Sequence, residues 1–315
     1  MFTKLRDRQF AIYNEARTHF IAHPQELIQL EREVSGSIFS MVRNHFTDFE
    51  RDYNEASYLY PFWQNYPPEE RGRKPVGDQY PWLEVGENVF GGKFPRLLQE
   101  RYEILDSGIP SGPDKRFVLE GKSISKACNG FTDLCWLFLD VKSVGPRDDQ
   151  DHAVMSHNQI SGDGKWLDPA SGVVNRPLLA KGQRTSHKFY CAIPPLYVLS
   201  NDKVVPVVEI VVKPVYRMLN LETDGAKGGQ PLNRISVVSI PNGLLLTENP
   251  NYLRSHPGLF FPGKDDKAKD PKKMRARVSF EILRQIGDWR VRTVADLTAD
   301  SEEGELGKGE LNFSS

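Results

Sequence analysis

Between residues 27 and 41 apolar side chains return every three or four positions. Leu27, Leu30, Val34, Ile38 and Met41 fall on one side of a 3.6-residue spiral, so this stretch reads as an amphipathic helix. Helical patterning extends from residue 4 to about 50. His23-Pro24 divides it into two helices, because the residue before a proline is driven out of the helical region. Residues 61–82 are dense in Pro and aromatics. Leu83 to Glu103 reads as a further helix interrupted at Gly91-Gly92.

The period then changes. Arg116–Glu120 reads as a strand. The continuous run Leu134-Cys135-Trp136-Leu137-Phe138-Leu139 is the pattern of a strand buried on both faces. Residues 145–190, rich in Gly, Asp and Ser, read as irregular, and further strands are predicted at Leu196–Leu199, Val204–Lys213 and Ile235–Ile240. From Arg275 to Ile282 apolar and polar residues alternate strictly. Val278, Phe280 and Ile282 point to one side and Arg275, Arg277 and Ser279 to the other, an amphipathic strand presenting two arginines outward. Together these elements predict a single α/β domain over residues 1–297. It has a helical part at 1–50, a core at about 80–215 and a strand segment at about 233–290. Residues 298–315, with Asp300, Glu302, Glu303, Glu305 and Glu310, form an acidic tail expected to be disordered.

Composition narrows the class. The chain has 315 residues, 39% of them hydrophobic and 10% aromatic, which fits a soluble globular protein with a sizeable core. Its 41 Lys and Arg balance 42 Asp and Glu, so any affinity for nucleic acid must come from local basic patches. Cys128, Cys135 and Cys191 make no zinc pattern, and their odd, sparse count favours a reducing compartment. No apolar stretch approaches the roughly 20 residues that span a bilayer. No apolar region follows Met1 to Asp7, so no signal peptide is expected and a cytoplasmic location is.

The candidate chemistry lies at the end of the apolar run. Asp140-Val141-Lys142 closes it, and alternation along a strand sends Asp140 and Lys142 to the same face. Pro113-Asp114 lies upstream by a turn and a neighbouring strand. Two carboxylates and an ammonium at a strand end are what a metal-dependent phosphodiesterase needs. Hard Mg²⁺ prefers oxygen ligands, so Asp114 and Asp140 could hold it against a phosphate, while Lys142 orients a water and adds positive charge at the transition state. The bare Asp/Glu-x-Lys spacing is common. It also occurs at Glu120-Gly121-Lys122, Asp163-Gly164-Lys165, Asp265-Asp266-Lys267 and Asp270-Pro271-Lys272, all in loop-like contexts. On pattern alone a simple strand-end ion pair between Asp140 and Lys142 stays open.

Other charged groups could serve the same site. Glu84 and Glu87 share a helix face, and either could add a third carboxylate or simply face solvent. His152 and His157 lack a third partner at ligand spacing. Arg71-Gly72-Arg73-Lys74 is a short basic loop in which Arg73 and Lys74 could contact phosphate, or be a solvated turn. Residues 264–277 hold seven Lys and Arg against three Asp. A β-ribbon can enter the DNA major groove, where Arg275, Arg277 and Lys264 could read guanine and Asp266 cytosine. An edge strand protected by its charges explains the same residues without DNA.

Several stretches carry a resemblance to a known family. They are Asp52-Tyr53-Asn54-Glu55-Ala56, Pro61-Phe62-Trp63, Asn65-Tyr66-Pro67-Pro68, Asn129-Gly130-Phe131-Thr132-Asp133, Lys142-Ser143-Val144-Gly145-Pro146-Arg147-Asp148, Pro194-Pro195-Leu196-Tyr197 and Gly263-Lys264-Asp265-Asp266. Over about residues 50–295 the chain resembles the BglI-type restriction endonucleases of the PD-(D/E)xK superfamily. The resemblance implies a mixed central sheet flanked by helices. It implies a homodimer cutting an interrupted palindrome, GCCNNNNNGGC-like, to leave 3′ overhangs, with one or two Mg²⁺ per active site. It puts metal-site acids at Asp114 and Asp140 with the Val141 carbonyl, the lysine at Lys142, and base contacts at Lys264, Asp266, Arg275, Arg277 and Asp148. A host methyltransferase is then a functional partner. The rival readings are a structure-specific repair or recombination nuclease and a non-catalytic DNA-binding regulator.

Overall fold

The computed structural model describes residues 2–58, 82–106, 112–144, 150–163, 166–168, 172–173, 177–182, 186–216, 231–263 and 274–295. The acidic tail lies outside them, as do residues 59–81. Helices α1 (Phe2–Ala22), α2 (Pro24–Asn44) and α3 (Phe46–Tyr58) open the chain. Pro24 begins α2, where its missing N–H leaves no helical bond unmade. The predicted stripe of α2 is its buried side: Leu27, Leu30, Val34, Ile38 and Met41 are all in the core.

Helix α4 (Trp82–Gln99) runs through Gly91-Gly92 without the expected break and stops short of Glu103, which begins β1 (Glu103–Asp106). Glycine in a helix interior costs about 1 kcal/mol relative to alanine. Burial of Phe90, Phe94, Leu97 and Leu98 on this one helix outweighs that cost. Then come β2 (Lys115–Glu120), α5 (Lys122–Ala127), β3 (Leu134–Val141) and β4 (His152–Ser156), the last followed by a 3₁₀ turn, His157–Gln159. Short strands β5 (Trp166–Asp168), β6 (Gly172–Val173), β7 (Leu178–Lys181) and β8 (Ser186–Phe189) occupy the stretch expected to be irregular. They pair only locally, β5 with β6 and β7 with β8, so no long periodic pattern marks them. Strands β9 (Leu196–Val198), β10 (Val204–Tyr216) and β11 (Leu232–Ile240) precede the short helices α6 (Gly243–Thr247) and α7 (Tyr252–Ser255). The described chain ends with β12 (Phe260–Phe261), β13 (Arg275–Ser279), α8 (Phe280–Ile286) and β14 (Val291–Ala295).

The main sheet runs β1-β2-β3-β10-β11-β14, with β9 paired to the start of β10. The β3–β10 pair is parallel and the rest are antiparallel, so the sheet is mixed. Period-two alternation assigns its two faces. Cys135, Leu137, Leu139 and Val141 of β3 join Val208, Ile210 and Val212 of β10 under α2, α3 and α4. Trp136 and Phe138 point to the opposite face, as does Val211 of β10. Asp140 continues that second face.

A separate three-stranded sheet, β12-β13-β4, covers part of the second face through Ala153, Met155, Ala276 and Val278. The strict alternation expected to run to Ile282 stops at Ser279. Its hydroxyl accepts the Ile282 N–H at 3.3 Å and caps α8, so Phe280 is buried as the first residue of a helix rather than as part of the strand. Helix α2 is tied to the C-terminal part of the described chain by a fully buried ion pair. Arg290 Nη2 donates to Glu31 Oε2 at 2.7 Å, and Glu31 Oε1 accepts the Asn242 N–H at 2.6 Å. Among the described residues, no helix is long and apolar enough to cross a membrane.

Candidate active site

The candidate chemistry gathers where β2 begins and β3 ends. Their antiparallel register pairs Lys115 with Leu139, so one further step sets Asp114 against Asp140 across the strand ends. Asp114 is exposed, whereas Asp140 is 2% exposed. Asp114 Oδ2 accepts the Val141 N–H at 2.7 Å, which fixes the carboxylate at the end of the sheet. The N–H and C=O of one strand residue face the same edge, so strand geometry puts the Val141 carbonyl on the β2 side of β3. Lys142 reaches back to place Nζ 2.6 Å from Asp140 Oδ2, forming an ion pair with it. Asp140 Oδ1 accepts a hydrogen bond from Gln159 Nε2 at 2.7 Å.

Burial pushes the Asp140 carboxyl up to about 6. The Lys142 charge pulls it down, and the Asp114 carboxylate, within hydrogen-bonding reach, pushes it up again. Two crowded carboxylates, one of them stripped of water, form an oxygen donor set whose two negative charges the one ammonium of Lys142 balances only in part. That set fits a hard divalent cation. Helix α4 comes close at this point. A Cβ on Gly86 would lie 2.7 Å from the Ser143 Cβ, so the close packing of α4 on the end of β3 requires glycine there.

The other predicted residues divide clearly. Glu87 is half-buried on α4, but among the described residues no group of three or more His, Cys, Asp and Glu gathers to hold a metal. Neither Glu87, His152 nor His157 belongs to such a group. Glu120, from one of the competing motifs, sits at the other end of β2, where it pairs with Lys203 at 3.3 Å. Arg275 is exposed at the start of β13, and Arg277 is half-buried. Arg277 Nε donates to His152 Nε2 at 3.1 Å, and its guanidinium packs against Gly263. Lys264, Asp266 and Asp148, and the phosphate candidates Arg73 and Lys74, lie outside the described residues.

One residue of the site was not legible as such. Ser156-x-x-Gln159 carries the signature of a capping box, and both of its reciprocal bonds form. Nothing in the sequence signals that the same glutamine reaches Asp140.

A mixed sheet flanked by helices, with adjacent strands ending in an aspartate and in Asp-x-Lys and the lysine folded back on the acid, defines a restriction-endonuclease-like nuclease of the PD-(D/E)xK kind. Comparison with known proteins carries this further. The family model described as restriction endonuclease BglI matches residues 8–294. The chain belongs to that family of DNA-cleaving type II restriction endonucleases. It is 41% identical over 298 residues to the type II restriction enzyme BglI of Bacillus subtilis, covering 93% of this chain and 99% of that one. Its fold matches the crystal structure of BglI bound to its DNA recognition sequence with a TM-score of 0.84 and 39% identity, over 94% of this chain and 99% of that chain. It also resembles tetrameric SfiI bound to cognate DNA, with a TM-score of 0.56 and 16% identity over 87% of this chain and 86% of that one, a likeness of fold alone. The match begins at residue 8 rather than near 50, so the N-terminal helices belong to the shared architecture.

Proposed function

We propose that this restriction endonuclease is a Mg²⁺-dependent homodimer cutting an interrupted, GC-rich palindrome of the GCCNNNNNGGC type to leave 3′ overhangs. Asp114, Asp140 and the Val141 carbonyl would hold one or two Mg²⁺, with Glu87 on α4 as a further carboxylate. When bound, the cation supplies charge neutralisation at the scissile phosphate and a water of lowered pKa. Lys142 orients that water and adds positive charge where the transition state develops its own. Arg275 and Arg277 on β13, with Lys264, Asp266 and Asp148, read base edges, while Arg73 and Lys74 contact phosphate. A two-fold dimer gives each subunit one half-site and one strand, matching the symmetry of a palindrome. A host methyltransferase protects the same site in the genome.

The observation that carries this reading is the meeting of Asp114 and Asp140 across the ends of β2 and β3, with the Lys142 ammonium 2.6 Å from the buried acid. A structural ion pair needs no second carboxylate, and the second carboxylate is what a cation needs. The test is digestion of a plasmid in Mg²⁺ followed by sequencing of the ends. Discrete fragments whose ends share an interrupted GC-rich palindrome and a 3′ overhang are expected. A smear, or specific retention on DNA without nicking, overturns the proposal.

A further inference from the structure

Gln159 is the bridge between two sheets. It lies on the 3₁₀ turn that ends β4, in the sheet that contains the arginine strand β13. Its Oε1 accepts the Ser156 N–H at 2.8 Å. A backbone N–H can only donate, so the amide orientation is settled, and Nε2 must face Asp140 Oδ1, which it reaches at 2.7 Å. Ser156 returns the contact by accepting the Gln159 backbone N–H, closing the capping box.

Ser156 is also the β4 partner of Arg275, as Val154 is of Arg277. The β13–β4 ladder thus joins the arginine strand to the residue that holds Gln159. Polar tethers tie this unit to the main sheet. Lys213 Nζ donates to the His152 carbonyl at 2.5 Å at the start of β4, and the Ser161 N–H donates to Glu209 Oε1 at 2.5 Å beyond the turn. The tether between them, from Gln159, ends on an acid of the candidate catalytic centre.

We propose that Gln159 is a positioning residue that couples base reading to cleavage: it sets the orientation of Asp140 according to how β13 and β4 are seated. The inference rests on the roles given above to Asp140 and to the β13 arginines. In its favour, Asp140 Oδ2 faces Lys142 and Oδ1 faces Gln159, so these two groups together fix the carboxylate plane. A shift of β4 rotates that plane without moving β3.

The test uses full-length Gln159→Met, which keeps side-chain length but neither caps nor donates, and Gln159→Glu, which keeps the capping acceptor but loses the donor. Asp140→Asn runs beside them. Binding to a duplex carrying the mapped site is measured with chelator present, and single-turnover cleavage in Mg²⁺ on that site and on a site altered at one base pair. Both Gln159 variants are expected to cleave about 10–100-fold more slowly, the usual cost of losing an outer partner of a metal-binding group. Their Kd should change by no more than about threefold, and the cleavage preference for the correct site over the altered one should shrink. Wild-type cleavage by either variant, a matched loss of binding and cleavage, or an unchanged preference overturns the coupling. Recovery by Gln159→Glu alone would make the residue a turn cap. If Asp140→Asn still cleaves, the assignment of the centre itself fails, and the coupling with it. If Asp140→Asn is inactive and Gln159→Met is normal, only the coupling fails.

Discussion

Replacing Asp140 by Asn should abolish cleavage and yet stabilise the metal-free protein. The carboxyl is 2% exposed, and burial raises its pKa from 3.8 to about 6, even with Lys142 beside it. A rise of about two units means that keeping the carboxylate ionised in the fold costs ~3 kcal/mol above pH 7. An amide removes that cost and keeps the Gln159 hydrogen bond through its oxygen. Its N–H faces Lys142, which takes back about 1 kcal/mol. The expected net gain at pH 8 is therefore about 2 kcal/mol. The sign follows from linkage. The folded-state pKa is raised, so the wild-type carboxyl supports the fold fully below pH 3.8, and that support is lost as pH rises through about 6. Below pH 3.8 Asp140→Asn should then be about 1 kcal/mol less stable than wild type, cross it as pH rises, and exceed it by about 2 kcal/mol above pH 7. Urea unfolding with chelator at several pH values measures this, and cleavage in Mg²⁺ measures the loss of function. A variant less stable than wild type at pH 8 would make the Asp140–Lys142 contact a structural ion pair and refute the argument.

Asp114→Asn and Lys142→Ala should each slow cleavage by at least about 10²–10³-fold, as expected when a charge aimed at the transition state is removed. Binding of the mapped duplex should persist, as gel-shift titration would show. Arg277→Ala should cost about 1–3 kcal/mol of discrimination at one base pair, read from competition against singly altered sites. Arg290→Met should destabilise the fold by about 3–5 kcal/mol by stranding buried Glu31, with much of the loss recovered in the double variant with Glu31→Gln, measured by urea midpoints.

Local pattern was enough for the elements on which packing and sequence agree. The eight residues Leu134–Val141 are all buried, as a continuous apolar run implies, and the α2 stripe is its core face. The position of Asp140 and Lys142 on one face followed from the period of a strand. The alternation of Arg275 to Val278 also held, with Ala276 and Val278 inward. Where a local device ended an element, periodicity overran it. The hydroxyl of Ser279 turned the chain into α8 while apolar and polar residues went on alternating.

Pairings between distant segments were beyond such reasoning. Which strand lies beside β3, and in what register, decides that Asp114 faces Asp140. The contact of Gln159 with Asp140 depends on a second sheet docking on the face opposite α2, α3 and α4, and the Glu31–Arg290 pair joins residues 259 positions apart. By itself, the chain specified the amphipathic helix α2, its buried strand and the charged groups at that strand's end, because period and burial are local properties. Only the tertiary structure decided which of those groups share a site, because that depends on sheet order and on which buried polar atoms find partners.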